Sequence, residues 1–390
     1  MRLFIGFCFA ATALVKATPE SPLDTSGVPS IVTLKPGISA SSLLESIGPA
    51  QDEIVEPLVR SEWSHALNGF SAILDPILID VLSRDPRVEN IEEDGIVRSL
   101  SPVTQTNAPW GLGRLSSIPK LANQNSTALT FNYTYDSSGG AGVDIYVLDT
   151  GTRITHVEFE GRATWGAIFS GSTDADGNGH GTHCAGIVAG KTFGVAKRAN
   201  IVAVKVLADS GSGSTSQVIS GINWIIQATT SSARPSVVLI ALGGSANTAL
   251  DNAVLSLFNS GIHVVVAAGG SATTPESSSP GRVPQVITVG ATTVADARAP
   301  SSNYGLGIDI YAPGTNILSA WYTSDTATAT LSGTSMAAAH VAGLVAYLIG
   351  LEGNTTPAAM SDKIKDYGLP NVLSGIPSEG INYLAHNAPH

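Results

Sequence analysis

Three polar residues stand in contexts that suit them for nucleophilic chemistry. Asp149 follows an apolar run in Val147-Leu148-Asp149-Thr150-Gly151. His180 lies between glycines in Asp176-Gly177-Asn178-Gly179-His180-Gly181-Thr182-His183, and Ser335 lies in Gly333-Thr334-Ser335-Met336-Ala337, just ahead of an apolar stretch. A serine hydroxyl is a weak nucleophile at neutral pH, so it needs a base, and the base needs a carboxylate to orient it. An aspartate at a strand end can be buried and still face the rim of a sheet. Glycines on both sides of a histidine let backbone approach closely and leave room for the imidazole. A serine in the first turn of a helix sits among unpaired N–H groups, in a field that favours a developing oxyanion. Taken singly, each residue has a plain role as a helix cap or turn residue. Taken together, they fit acyl transfer.

Competing chemistry in the same segments fails on spacing. Asp174-x-Asp176-x-Asn178-Gly179 imitates the first half of a calcium-binding EF-hand loop, but its twelfth position is Ala185 rather than a glutamate. His180 and His183 have no third ligand at the spacing of a helical zinc protease. An esterase of the α/β-hydrolase kind needs Gly-x-Ser-x-Gly and the order serine, acid, histidine, and neither is present.

The elements that must hold these residues are legible as alternating apolar strands and helices. Val143–Leu148, Ile201–Val206, Val237–Leu242, Ile262–Ala267 and Val286–Val289 read as strands. Gln217–Gln227, Ala249–Asn259 and Met336–Leu348 read as helices between or after them. Unbroken apolar strands separated by helices predict an α/β domain whose mainly parallel sheet is covered on both faces, with chemistry at the carboxyl ends of its strands. An acidic segment precedes this domain. There Val32–Leu34, Gly69–Leu74 and Val88–Glu92 read as strands and Ile38–Ile47 and Leu78–Ser83 as helices, a small α+β domain over about 28–98. Ser99–Thr106 reads as a linker.

Of the 390 residues, 13% are charged and 43% apolar, with a net charge of -11. About a quarter of an average protein is charged, so a charge-rich disordered chain is excluded. No segment carries the basic stripe that a phosphate backbone requires, which excludes nucleic acid as a partner. Met1-Arg2, the apolar run Leu3–Val15 and the small-residue exit at Ala17 predict a signal peptide over 1–17, hence export. No later run of 18 uncharged apolar residues is read, so no membrane partner is expected. Of two cysteines, Cys8 falls in that leader, leaving Cys184 without an internal disulfide partner. Four residues after His180, Cys184 would lie beneath the imidazole of a helix as an inert thiol. Asn125, Asn132 and Asn354 begin glycosylation sequons.

The blocks around Asp149, His180 and Ser335, in that order, resemble those of the subtilisin-like serine proteases (family S8), in particular the proteinase K-like branch. Gln105–Leu112, Ser302-Asn303-Tyr304-Gly305 and Ala312-Pro313-Gly314 carry the same resemblance, which covers almost the whole chain. It implies a subtilisin-like three-layer fold over 103–390 and an inhibitor I9-type propeptide within 18–102, ending in Ile91-Glu92-Glu93-Asp94 and removed near Leu100–Val103. It implies a monomeric, secreted serine endopeptidase acting on proteins or peptides, with no cofactor for catalysis and with its own propeptide as inhibitor. Substrate backbone would pair with Gly211-Ser212-Gly213 and with Ala241-Leu242-Gly243. Ala241, Gly243, Ala267, Ala268 and Gly269 would line an uncharged pocket that favours apolar or aromatic side chains. A structural calcium ion would bind the carbonyls of Pro284 and Val286 and the carboxylate of Asp309, bracing the pocket segment.

The pattern breaks at three positions. Where the family has Ala-Ala-Gly-Asn, with the Asn amide donating to the oxyanion, this chain has Ala267-Ala268-Gly269-Gly270. Loss of that donor in subtilisin costs about 10²–10³ in kcat, so a slow enzyme is expected. The alternative is an impaired subtilisin-fold protein that binds peptides. Ala339 stands where the helix after the nucleophile has Pro, which restores a backbone donor and predicts a straighter helix. Ala241 stands where the family has Ser.

Overall fold

The computed structural model describes residues 27–47, 58–95, 102–171, 173–232 and 234–387. The expected leader and Cys8 lie outside them. The chain divides into two compact units, Met1–Arg98 and Ser99–His390.

In the first unit β1 (Val28–Leu34), α1 (Ala40–Ile47), β2 (Leu58–Trp63), β3 (Gly69–Leu74), α2 (Pro76–Ser83) and β4 (Val88–Glu93) follow in chain order. The four strands form an antiparallel sheet in the order β2-β3-β1-β4. Alternate residues Val32, Leu34, Phe70, Ala72 and Leu74 pack with Leu43 of α1 and Leu78 and Leu82 of α2. Pro76 opens α2 and the Asp75 carboxylate caps it, accepting from the Ile77 N–H at 2.7 Å. The sequence reading missed β2, whose Arg60, Ser61 and Glu62 give it little apolar signal.

The second unit opens with β5 (Pro102–Ala108), α3 (Trp110–Leu115), β6 (Phe131–Asp136), β7 (Asp144–Asp149), β8 (Ala163–Ile168), α4 (His180–Ala189) and β9 (Asn200–Lys205). It continues through α5 (Thr215–Thr230), β10 (Ser236–Ile240), β11 (Gly244–Ser245), α6 (Thr248–Asn259), β12 (His263–Ala267), β13 (Ser278–Ser279) and β14 (Ile287–Thr292). Last come β15 (Ile310–Pro313), β16 (Ile317–Ala320), β17 (Thr328–Leu331), α7 (Thr334–Glu352), α8 (Pro357–Tyr367), β18 (Leu369–Pro370) and β19 (Tyr383–Leu384). The main sheet runs β18-β19-β15-β14-β12-β10-β7-β9-β8, and every pairing from β19 to β8 is parallel. This is the expected three-layer α/β arrangement.

Alternation along the strands explains the layers. Ile145, Val147, Val237, Leu239 and Val265 point into the core that holds α4 and α7. Tyr146, Leu148, Val238, Ile240 and Val264 point into the core that holds α5 and α6. Both faces are therefore apolar, which is why these strands read as unbroken apolar runs. α7 is long and apolar enough by composition to cross a membrane, but 83% of its most apolar window is buried inside the protein. It runs without interruption through Ala339, with Ala337 to Leu348 all buried.

Ser99–Thr106 is not a plain linker. From Pro102 the chain is β5, antiparallel to β6, with Val103 opposite Tyr135 and Thr104 opposite Thr134. The two threonine hydroxyls lie 3.1 Å apart. β-Branched residues and cross-strand hydroxyl pairs favour a strand, and this outweighs the turn-like composition.

Candidate active site

The order of the main sheet reverses beside β7: the chain adds β8 and β9 on one side and then β10 on the other. Such a switch point opens a crevice at the strands' carboxyl ends. Asp149 ends β7 there, fully buried. Its backbone carbonyl accepts from the Val206 and Leu207 N–H groups at 2.9 and 3.1 Å, and its Oδ1 accepts from the Thr150 N–H at 2.7 Å. Beside it the buried Lys205 ammonium donates to the Thr150 carbonyl at 2.6 Å and to Asp209 Oδ1 at 2.8 Å.

His180 is the first residue of α4, entered through Gly179 at a φ of +105°, a conformation that suits glycine. Gly181 packs against the strand end so closely that a methyl group there would strike the Gly151 carbonyl. These glycines let the helix start lie on the strand end, and His180 Nδ1 reaches both carboxylate oxygens of Asp149 at 2.8 Å. Burial of the ring opposes its charged form, but the Asp149 carboxylate outweighs that cost, with Cys184 adding to it, and holds the imidazole well above its ordinary value of 6.5. His183 shows the contrast. It is fully buried, its Nε2 bonds the Ile317 and Ala329 carbonyls at 3.0 Å each, and desolvation pulls it down to about 4.

A carboxylate that sequence reading set aside as part of a failed EF-hand ties the two elements together. Asp176, 6% exposed, accepts from Thr150 Oγ1 at 2.9 Å, Gly179 N–H at 2.8 Å, Thr182 N–H at 3.0 Å and Thr182 Oγ1 at 2.6 Å. The acid therefore grips the strand end through Thr150 and the first turn of α4 through its free N–H groups. An acid four residues ahead of a glycine-flanked histidine was the available signal.

Ser335 is the second residue of α7, and its hydroxyl donates to the Ala241 carbonyl at 2.8 Å. Ala241 to Gly243 border two cavities. One, about 590 Å³, is lined also by His180 and by Gly211, Ser212 and Gly213. The other, about 630 Å³, is lined also by Ser335, Ala267, Gly269 and Gly270. Thus Ser335 and His180 face a common ridge from opposite cavities, with the residues read as substrate-binding on its two flanks. Ala268 does not line either cavity. It is fully buried, its carbonyl accepting from Asn303 Nδ2 at 2.8 Å. The second cavity has no charged lining residue, but Ser271, Ser278, Ser279 and Ser301 bring hydroxyl-bearing residues to its wall. Nothing in their local sequence marked them.

At Gly270 an added Cβ would meet nothing within 4 Å, and the backbone there lies outside the left-handed region. Cys184 is buried under the imidazole, Sγ 4.0 Å from His180 Nδ1. Asp149, His180 and Cys184 offer ligand atoms within 4.8 Å of one another, but the ring nitrogen is already taken by the carboxylate. Asn125, Asn132 and Asn354 are exposed. Asn125 Oδ1 accepts from Thr127 Oγ1 at 2.8 Å, while Asn354 Oδ1 lies 2.9 Å from His263 Nε2.

The donor set proposed for calcium does not suit a divalent ion. Asp309 Oδ2 accepts from the Thr288 N–H at 2.9 Å, and Oδ1 lies 3.6 Å from the Lys365 ammonium. Calcium takes six to eight oxygens, with affinity set by ligand charge, and here the single carboxylate of the set already faces a cation. Burial raises the Asp309 carboxyl above its usual range, opposed by the Thr288 N–H and Lys365.

Comparison with known proteins extends over both units. The subtilase family model matches residues 140–368, and the peptidase inhibitor I9 model matches residues 31–99. A cuticle-degrading protease of Metarhizium anisopliae is 41% identical over 384 residues, spanning 97% of this chain and 96% of its own. A subtilisin-like protease 2 of Pseudogymnoascus destructans is 48% identical over 320 residues, spanning 82% of this chain and 77% of its own. The crystal structure of a cold adapted subtilisin-like serine proteinase superposes with a TM-score of 0.66 at 40% identity, covering 73% of this chain and all of that one.

Proposed function

The chain belongs to the subtilase family of serine endopeptidases, and from that membership we propose that Asp149, His180 and Ser335 are its catalytic triad. The observation that carries the proposal is the Asp149–His180 pair at 2.8 Å, set at a cleft whose walls continue to Ser335. In the working cycle the Ser335 hydroxyl leaves the Ala241 carbonyl, turns toward His180 and gives up its proton as it attacks the peptide carbonyl. His180 then returns that proton to the leaving amine, while Asp149 holds the ring in one tautomer.

The substrate would lie extended between Gly211–Gly213 and Ala241–Gly243 as an added strand. An uncharged side chain before the scissile bond, apolar or aromatic, suits the charge-free cavity beside Ser335. For the oxyanion, the Ser335 N–H at the head of α7 is retained, whereas Gly270 supplies no side-chain donor. The enzyme is therefore slow. Gly270 also favours a second reading, an impaired subtilisin-fold protein that binds peptides. The I9-type unit supports synthesis as an exported zymogen, inhibited by residues 18–102 until cleavage near Leu100–Val103.

Replacement of Ser335 by Ala tests the first reading. Expressed without other proteases, the variant should remain uncut, and a serine-directed fluorophosphonate should label the parent but not the variant. Normal cutting in the variant, or a parent that reacts no faster than free serine, would refute the triad and leave the peptide-binding reading.

A further inference from the structure

We infer that the Lys365 ammonium is a built-in counter-cation for Asp309, taking the bracing role that the sequence reading gave to a calcium ion. The inference concerns stability and does not rest on the catalytic proposal.

Asp309 lies just before β15 and grips Thr288 of β14 at two points. Its N–H donates to the Thr288 carbonyl at 2.9 Å, and its Oδ2 accepts from the Thr288 N–H at 2.9 Å. The remaining oxygen, Oδ1, faces Lys365 in the last turn of α8 at 3.6 Å. Side-chain exposure is 30% for Lys365 and 22% for Asp309, so the pair is partly withdrawn from water and less screened than a surface pair. Asp362, 3.5 Å from the same ammonium, is 76% exposed and adds a weak, solvated charge. The acid at the centre of the set thus already faces a cation of the chain's own. A divalent ion bound to Oδ1 at about 2.4 Å would stand beside the ammonium and be repelled by it.

The contact reaches the cleft. Thr288, held by Asp309, donates from Oγ1 to the Gly281 carbonyl at 3.2 Å, and Gly281 lines the cavity that Ser335 faces. Lys365, Asp309, Thr288 and Gly281 therefore form one line of contacts from α8 to the cavity wall. The ammonium braces that wall from within the chain, which suits a protein with no internal disulfide among its described residues.

Thermal unfolding of the full chain in the Ser335→Ala background, which removes self-digestion, tests this. The parent should melt at the same temperature in chelator and in millimolar calcium. Lys365→Met should melt about 2–4 °C lower in chelator and recover in calcium. Lys365→Arg should behave as the parent, and the double variant Lys365→Met, Asp309→Asn should lose the calcium response. If Lys365→Met responds to calcium no more than the parent does, or if it melts with the parent in chelator, the inference fails.

Discussion

The two sides of the cleft are furnished unequally. On the acid–imidazole side, β7 and α4 are bound to each other by Asp176, Thr150, Thr182 and the Asp149–His180 pair, with Lys205 beneath. On the Ser335 side, the serine proposed as nucleophile sits at the head of a buried helix, but Gly270 in the same cavity brings no side-chain donor and leaves open space. Orientation of the imidazole depends on the 2.8 Å contacts between His180 Nδ1 and Asp149, and the first side holds them by overlapping hydrogen bonds. Charge stabilisation depends on donors aimed at an atom that exists only in the transition state, and on the proposed mechanism the second side is short by one. Turnover should thus be limited by the oxyanion and not by the base.

Breaking the stronger side should have the larger effect. Asp149→Asn keeps the shape but loses the charge that selects the tautomer, and kcat should fall about 10⁴-fold. It should also move the pH profile. On the proposed mechanism activity needs neutral His180, which Asp149 holds well above its ordinary value of 6.5, so in the parent the rise of kcat/KM with pH should be displaced to the alkaline side of that value. In Asp149→Asn the residual rise should shift to lower pH, and an unshifted profile would deny the coupling.

Repairing the weaker side should give the next largest effect. Gly270→Asn has room for its side chain and an unstrained backbone, and should raise kcat by about 10²–10³ with little change in KM. Equal kcat in the two proteins would mean that the missing amide is not the limit.

Loosening the clamp should have the smallest effect. Asp176→Asn retains the size but not the paired acceptors for Thr150, Gly179 and Thr182. It should lower kcat about tenfold through misplacement of His180 and cost about 2 kcal/mol in urea unfolding. A stability loss with unchanged kcat would make Asp176 a cap and nothing more.

Legibility followed the same division. Runs such as Val237–Leu242 predicted strands because both faces of the sheet are covered, and β10 is observed at Ser236–Ile240. Asp149, His180 and Ser335 stood out as candidates from their glycine and strand-end contexts. Strands with polar faces, β2 and β5, did not stand out, because their stability lies in pairing with a neighbouring strand, β3 for β2 and β6 for β5, and not in an apolar pattern of their own. The clamping contacts of Asp176 were not foreseen, because its donors come from Thr150 as well as from its own loop and helix start. The lining role of Ala268 failed because lining depends on which face of the backbone turns to the cleft.

The amino-acid sequence by itself determined the alternation of elements, the choice of candidate reactive groups and the absence of an amide at Gly270, because these are local properties of residue type and spacing. Only the tertiary structure decided that Asp176 would bind two distant elements, that Ala268 would turn inward and that Lys365 would meet Asp309. Each of these depends on residues between 26 and 56 positions apart meeting in space, or on which way a short backbone segment faces, and packing of the whole sheet sets both.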